Sequence, residues 1–143
     1  MQTIQNHSDV VNARAVRRIR RHPDFEVLGQ RSDAELHDWC GLILESLIAW
    51  LDTGSEAEVR RRFHLAGEER FEESVPLHEA VLRFQVMKDV IIDLLHELVM
   101  PEDTMQLYAE EELENRVVRF FDLLVYELVR GYEAALRRAV RYA

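Results

Sequence analysis

Apolar side chains recur along this chain at three- and four-residue steps with polar residues between them, a helical period. The clearest stripe is Leu36, Trp39, Cys40, Ile43, Leu44, Leu47, Ile48 and Leu51. Ser32 and Glu35 stand before it with capping-box spacing, so the pattern predicts a helix from there to about Thr53-Gly54. An earlier helix is predicted from Ser8, whose hydroxyl can cap it, to about Arg21, ahead of Pro23. Ser55 and Glu58 repeat the capping signature and open a shorter helix carrying Val59, Phe63, Ala66 and Phe71.

Pro76 occupies a place where a first helical residue tolerates a missing N–H. The stripe that follows, Leu77, Ala80, Phe84, Met87, Ile91, Leu94, Leu95 and Leu98, predicts a helix to about Met100. Val81, Leu82, Val86, Val90 and Ile92 lie off that stripe, so this helix should be buried on more than one side. Pro101 breaks it, and Asp103 or Thr104 can cap a last helix that runs toward the C-terminus. The last helix carries a main stripe through Val117, Phe120, Phe121, Leu124 and Leu128. It also carries a second seam of Val118, Val125, Val129, Leu136 and Val140. No segment alternates with the two-residue period of a strand. The expected fold is an all-α bundle of about five helices, read as one domain over residues 1–143.

Composition narrows the class. The 143 residues carry 27 acidic and 18 basic side chains, for a formal net charge of −9, which argues against nucleic acid as the main partner. A chain this long can bury about 70% of its unfolded surface without a metal or disulfide. Cys40 is the single cysteine, so no internal disulfide can form, as suits a reducing cytoplasm. The longest apolar runs hold five residues, far short of a membrane span, and the N-terminus has no signal-peptide core. A cytoplasmic protein that enters no membrane is the expectation.

Candidate chemistry is sparse. No phosphate-binding glycine loop, zinc-protease or nucleophile-elbow motif is present, so no enzyme is expected. Asp93 with His96 and His64 with Glu68 have ligand-like spacing but no second copy to complete a di-iron set. Haem could use His64, His78 or His96. Phe63-His64-Leu65-Ala66-Gly67 is faintly similar to histidine phosphotransfer domains, though Gly67 replaces the lysine of that pattern. Arg14, Arg17, Arg18 and Arg21 share one helix face, and Arg60, Arg61 and Arg62 form a second group. Both are solvated faces or docking surfaces for an acidic partner or anion. Lys88 interrupts an apolar seam, with Gln85, Asp89 and Asp93 alongside. It either pairs with one of those acids, or lines a pocket or fixes a dimer register.

The segment Ser74-Val75-Pro76-Leu77-His78-Glu79-Ala80-Val81, the helix through Lys88, and Phe120-Phe121-Asp122-Leu123-Leu124 with Val129-Arg130-Gly131-Tyr132-Glu133 carry a resemblance. Over about Val16 to Ala139 the chain resembles the N-terminal sensory domain of the RsbR/RsbRD group. These are the RsbT co-antagonists of bacterial stressosomes, and similar domains front some sensor histidine kinases. The resemblance implies a haem-free, globin-like fold, a homodimer, no cofactor and no catalytic residue. It also implies a cue passed through the last helix to a STAS or kinase output module, in cis or in trans. No output module precedes Ala143, which fits either an excised sensory part or a stand-alone relative. The second seam suits a helix that continues as a dimer linker, so the interface is expected to include Val118, Val125, Val129 and Val140. The alternatives are a helical sensor that binds haem or a di-iron centre, and a phosphotransfer protein using His64.

Overall fold

The structure, a computed structural model, describes residues 2–98 and 103–141. Among them are six α-helices, one 3-10 turn and no strand. The helices are α1 (Gln2–Asn6), α2 (Ser8–Arg21), α3 (Asp33–Thr53), α4 (Glu56–Glu72), α5 (Leu77–Leu98) and α6 (Thr104–Arg141); the 3-10 turn is Leu28–Gln30. The periodicity therefore yields an all-α bundle. The expected end near Met100 and the break at Pro101 lie outside the described residues. No helix of the described residues is long and apolar enough to cross a membrane.

Local signals set most boundaries. Ser32 Oγ accepts the Glu35 N–H at 3.2 Å and starts α3, and Gly54, in the left-handed region at φ 67°, ends it. Asp103, rather than Thr104, caps α6 by accepting the Gln106 N–H at 2.8 Å. Three expectations need correction. Pro76 precedes α5, and its carbonyl accepts the first N–H groups, so it is a cap residue and not the first helical one. Ser55 makes no side-chain cap bond, and the reciprocal half of the box is also unmade: its own N–H donates to Thr53 Oγ1 at 3.2 Å while the Glu58 carboxylate pairs with Arg61. Ser8 does not cap α2 either; its hydroxyl donates back to the Gln5 carbonyl at 2.9 Å. That carbonyl belongs to α1, a helix too short for periodicity to register, with Ile4 its one buried residue.

α2 packs on α3 and α5, while α6 packs on α4 and α5. The core is aromatic where α3 to α6 meet. Phe63 sits edge-on to Phe84 at 5.7 Å and to Phe120 at 6.5 Å, and Trp50 lies 5.6 Å from Phe120. α5 buries residues of both sets, Phe84, Met87 and Ile91 on one side and Val86 and Val90 on the other, while Val81, Leu82 and Ile92 are half-buried and Leu98 is exposed.

The most extensive contact joins α4 to α6, and two glycines permit it. A Cβ on Gly67 would lie 2.1 Å from the Leu128 carbonyl oxygen, and one on Gly131 would lie 1.9 Å from the His64 carbonyl oxygen. The backbones therefore touch, and side chains would hold them apart. Tyr132 continues the contact. Its hydroxyl donates to the Val75 carbonyl at 2.9 Å, and its ring meets Phe71 edge-on at 5.4 Å.

A buried carboxylate braces the 3-10 turn. Glu79 is 1% exposed, and it accepts the N–H of Val27 at 3.0 Å and of Leu28 at 2.9 Å. These are donors at the start of the 3-10 turn, which has no partner of its own for them. One acid on α5 thus fixes the α2–α3 connection.

Two stability predictions follow from these contacts. Gly131→Ala should lose about 1–3 kcal/mol in urea unfolding, since overpacking against backbone outweighs the helix-propensity gain of about 1 kcal/mol. Gly41→Ala is the control, because a Cβ there meets nothing within 4 Å; it should gain about 0.5–1 kcal/mol. Glu79→Ala should cost about 1–3 kcal/mol by orphaning buried donors, with the loss of amide-exchange protection concentrated at Val27 and Leu28.

Candidate functional site

α6 has 38 residues and, at about 1.5 Å per residue, runs about 57 Å. Its core face comprises Val117, Phe120, Phe121, Leu124, Leu128 and Ala135, all buried. The second seam lies about 110° round the helix, at about 100° per residue. Val118 is 38% exposed, Leu136 44% and Val140 68%, so the seam is apolar surface facing outward. Val129 is half-buried, and Val125 is half-buried against the core. Of the four expected interface residues, Val118 and Val140 are therefore the free ones, and Val125 does double duty.

Lys88 lies one helix away. It forms no ion pair among the described residues; Asp93, one of the acids considered for it, pairs with Arg18 at 2.8 Å, and Asp89 is exposed. The expected internal pair is thus not made, because Asp93 faces α2. Lys88 instead lines an open groove of about 310 Å³ between α5 and α6, with Gln85, Phe121, Asp122, Val125 and Tyr126. The groove runs beside the apolar seam.

A charge cluster braces the glycine crossing. Glu127, 3% exposed, accepts Arg60 Nη1 at 2.9 Å and lies 3.7 Å from His64 Nδ1 and 3.6 Å from Arg130 Nη1. Hydrogen bonds to Glu127 and then Glu56 raise the pKa of Arg60 above its ordinary value. His64 also lies 3.5 Å from Glu68. The residue considered for phosphotransfer is therefore half-buried between two carboxylates, surroundings that repel a phosphoryl group.

The other candidates fall apart in space. His78 and His96 stand near opposite ends of α5, both exposed. His96, Glu110 and Glu114 offer three ligand atoms within 4.8 Å of one another and could hold a divalent ion; His96 and Glu114 already pair. Arg14 and Arg18 pair with Glu97 and Asp93, both at 2.8 Å, tying α2 to α5. Arg62 Nη1 donates to Ser46 Oγ at 2.8 Å. Cys40 is fully buried, and burial pushes its thiol up to about 11, which leaves no nucleophile at neutral pH.

Periodicity did not single out Glu79, Arg83 or Glu127, all buried and charged. The signal was present: Arg83 falls i+3 from Ala80 and i−4 from Met87, and Glu127 falls i+3 from Leu124 and i−4 from Gly131. Each breaks an apolar stripe as Lys88 does.

No curated protein and no solved structure matches the chain. The model of one family, the N-terminal domain of the RsbT co-antagonist protein RsbRD, matches residues 9–142. Matched over nearly its whole length, this bundle, with its long two-faced last helix, belongs to the RsbRD N-terminal domain family.

Proposed function

We propose that the chain is the non-enzymatic, dimeric input module of a bacterial stress-response or two-component regulator, and that it relays a cue through α6. Family membership supports the coarser part, a stressosome-type signalling input domain. The finer part rests on one observation: α6 carries an apolar seam that its own bundle leaves outward-facing. Two such seams on a two-fold axis would bury each other and set the α6 helices side by side. A cue that favours one packing of the pair over another would then be felt along the whole helix. The output partner would be a STAS or kinase module, in cis or in trans, within the cytoplasm.

The groove at Lys88 fits this reading as a register element. A lysine beside an apolar seam accepts a partner only where its ammonium keeps water or meets an acid. Haem, di-iron and His64 phosphotransfer have less support, because their histidines are scattered or already engaged.

Light scattering across micromolar concentrations tests the proposal. The wild type should be a dimer, and Val118→Asp with Val140→Asp should be a monomer of unchanged helicity. These two sites are chosen because both are exposed, whereas an aspartate at Val125 would also strain the core. A wild type that stays monomeric, or a double variant that stays dimeric, defeats the seam assignment.

A further inference from the structure

Arg83 is the least explained charge in the molecule. Its side chain is 3% exposed, yet Nε and Nη1 have no hydrogen-bond partner, and no carboxylate pairs with it among the described residues. Its guanidinium stacks 4.5 Å from the Trp39 ring and lies 5.2 Å from that of Phe84. Burial, and next the neighbouring Arg70, lower its pKa to about 10, so it stays cationic at neutral pH. Stacking on an aromatic face returns only part of what a buried, unpaired cation costs.

Arg70 differs. It is also buried and lies 5.1 Å from the other arginine's stacking partner, Trp39, but Glu73 neutralises it through two bonds, Nε to Oε2 at 2.8 Å and Nη2 to Oε1 at 3.0 Å. Arg83 feels Glu73 only at a distance and is bonded to no carboxylate among the described residues. It lines a cavity of about 280 Å³ between α3 and α4, which opens to solvent. Trp39, Ile43, Phe63 and Ala66 form its walls, and Leu42 and Leu65, 49% and 52% exposed, its rim. Arg62 and Glu69, opposite in sign, also border it.

We propose that this cavity is a binding site for a small carboxylate with a compact apolar body, its anionic end directed to Arg83 and its body held against Trp39 and Phe63. The walls reward apolar area, Arg83 at the floor supplies positive charge, and Glu73 and Glu69 already pair with Arg70. A neutral ligand of the same shape would leave the guanidinium as unpaired as before. This assignment goes beyond the relay reading and stands independently of the oligomeric state.

The test titrates the whole protein with benzoate, 3-phenylpropionate and hexanoate, each against its matched alcohol, by calorimetry and tryptophan fluorescence. At least one carboxylate should bind saturably, at least about tenfold more tightly than its alcohol. Arg83→Met should erase that preference while holding or raising the melting temperature, since an unpaired buried charge is replaced by apolar volume. Leu42→Asp, at an exposed rim position that cannot disturb the core, should weaken the carboxylate at least about threefold. Should Arg83→Met fail to fold, the alcohol comparison and Leu42→Asp still decide. Three carboxylates that bind no better than their alcohols, none binding below about 10 mM, or an Arg83→Met protein that binds like the wild type would each overturn the proposal.

Discussion

The contact between α4 and α6 is the constraint on which the rest of the bundle is arranged. Gly67 and Gly131 let the two backbones meet with no side chain between them, so the distance between these helices is fixed by hard contact. Around that point the specific interactions gather: Glu127 with Arg60 and His64, Tyr132 with the Val75 carbonyl, and Phe71 against the Tyr132 ring. A buried carboxylate at this place is tolerable because a cation on the facing helix meets it at hydrogen-bond distance. Its effect is to set the rotation of α6 about its own axis, and hence the direction in which Val118 and Val140 face.

Buried charge recurs as the device by which this small bundle fixes connections that apolar packing leaves loose. Glu79 holds the start of the 3-10 turn from a neighbouring helix, and Arg70 closes onto Glu73 at the end of α4. Arg116 reaches from α6 to the Leu51 carbonyl near the end of α3, 2.8 Å away. In each case a long side chain meets backbone groups or a partner that a helix end exposes. Arg83 departs from this rule, a buried cation with no bonded acceptor among the described residues, which is why it reads as a site rather than as a brace.

The sequence carried the helices well because their apolar stripes are long. Leu36 to Leu51 and Val117 to Leu128 each repeat over several turns, enough for the period to stand clear of noise. α1 escaped because five residues cannot display a period. The serine cap at Ser32 formed and the one at Ser55 did not. At Ser55 the neighbours take the groups the box would use: Thr53 Oγ1 accepts the Ser55 N–H and Arg61 pairs with Glu58, partners that a motif of four residues cannot foresee. The exposed seam on α6 was legible for the reason the helix was. The α3–α4 cavity was not, since Trp39, Phe63 and Arg83 come from three helices whose pairing no local pattern encodes. What the chain did display was a charged residue in step with the apolar stripe at 79, 83 and 127. That departure from amphipathic order is where buried chemistry first becomes visible in an all-helical sequence.

The cavity and the crossing share one helix. Phe63, Ala66 and Arg70 of α4 border the cavity, while His64, Gly67 and Phe71, interleaved with them, meet α6. A seventeen-residue helix moves as a unit far more readily than it bends. Backbone contact at the crossing leaves α6 no slack to ignore such a movement. At that contact α4 and the residues just after it are also joined to α6 by the Glu127 and Tyr132 bonds, whose geometry a change in the spacing of the two helices would disturb. Those bonds are specific enough in geometry to favour discrete positions over a continuum. Among the described residues, α4 thus touches both the cavity that Arg83 lines and the helix that carries the outward-facing seam.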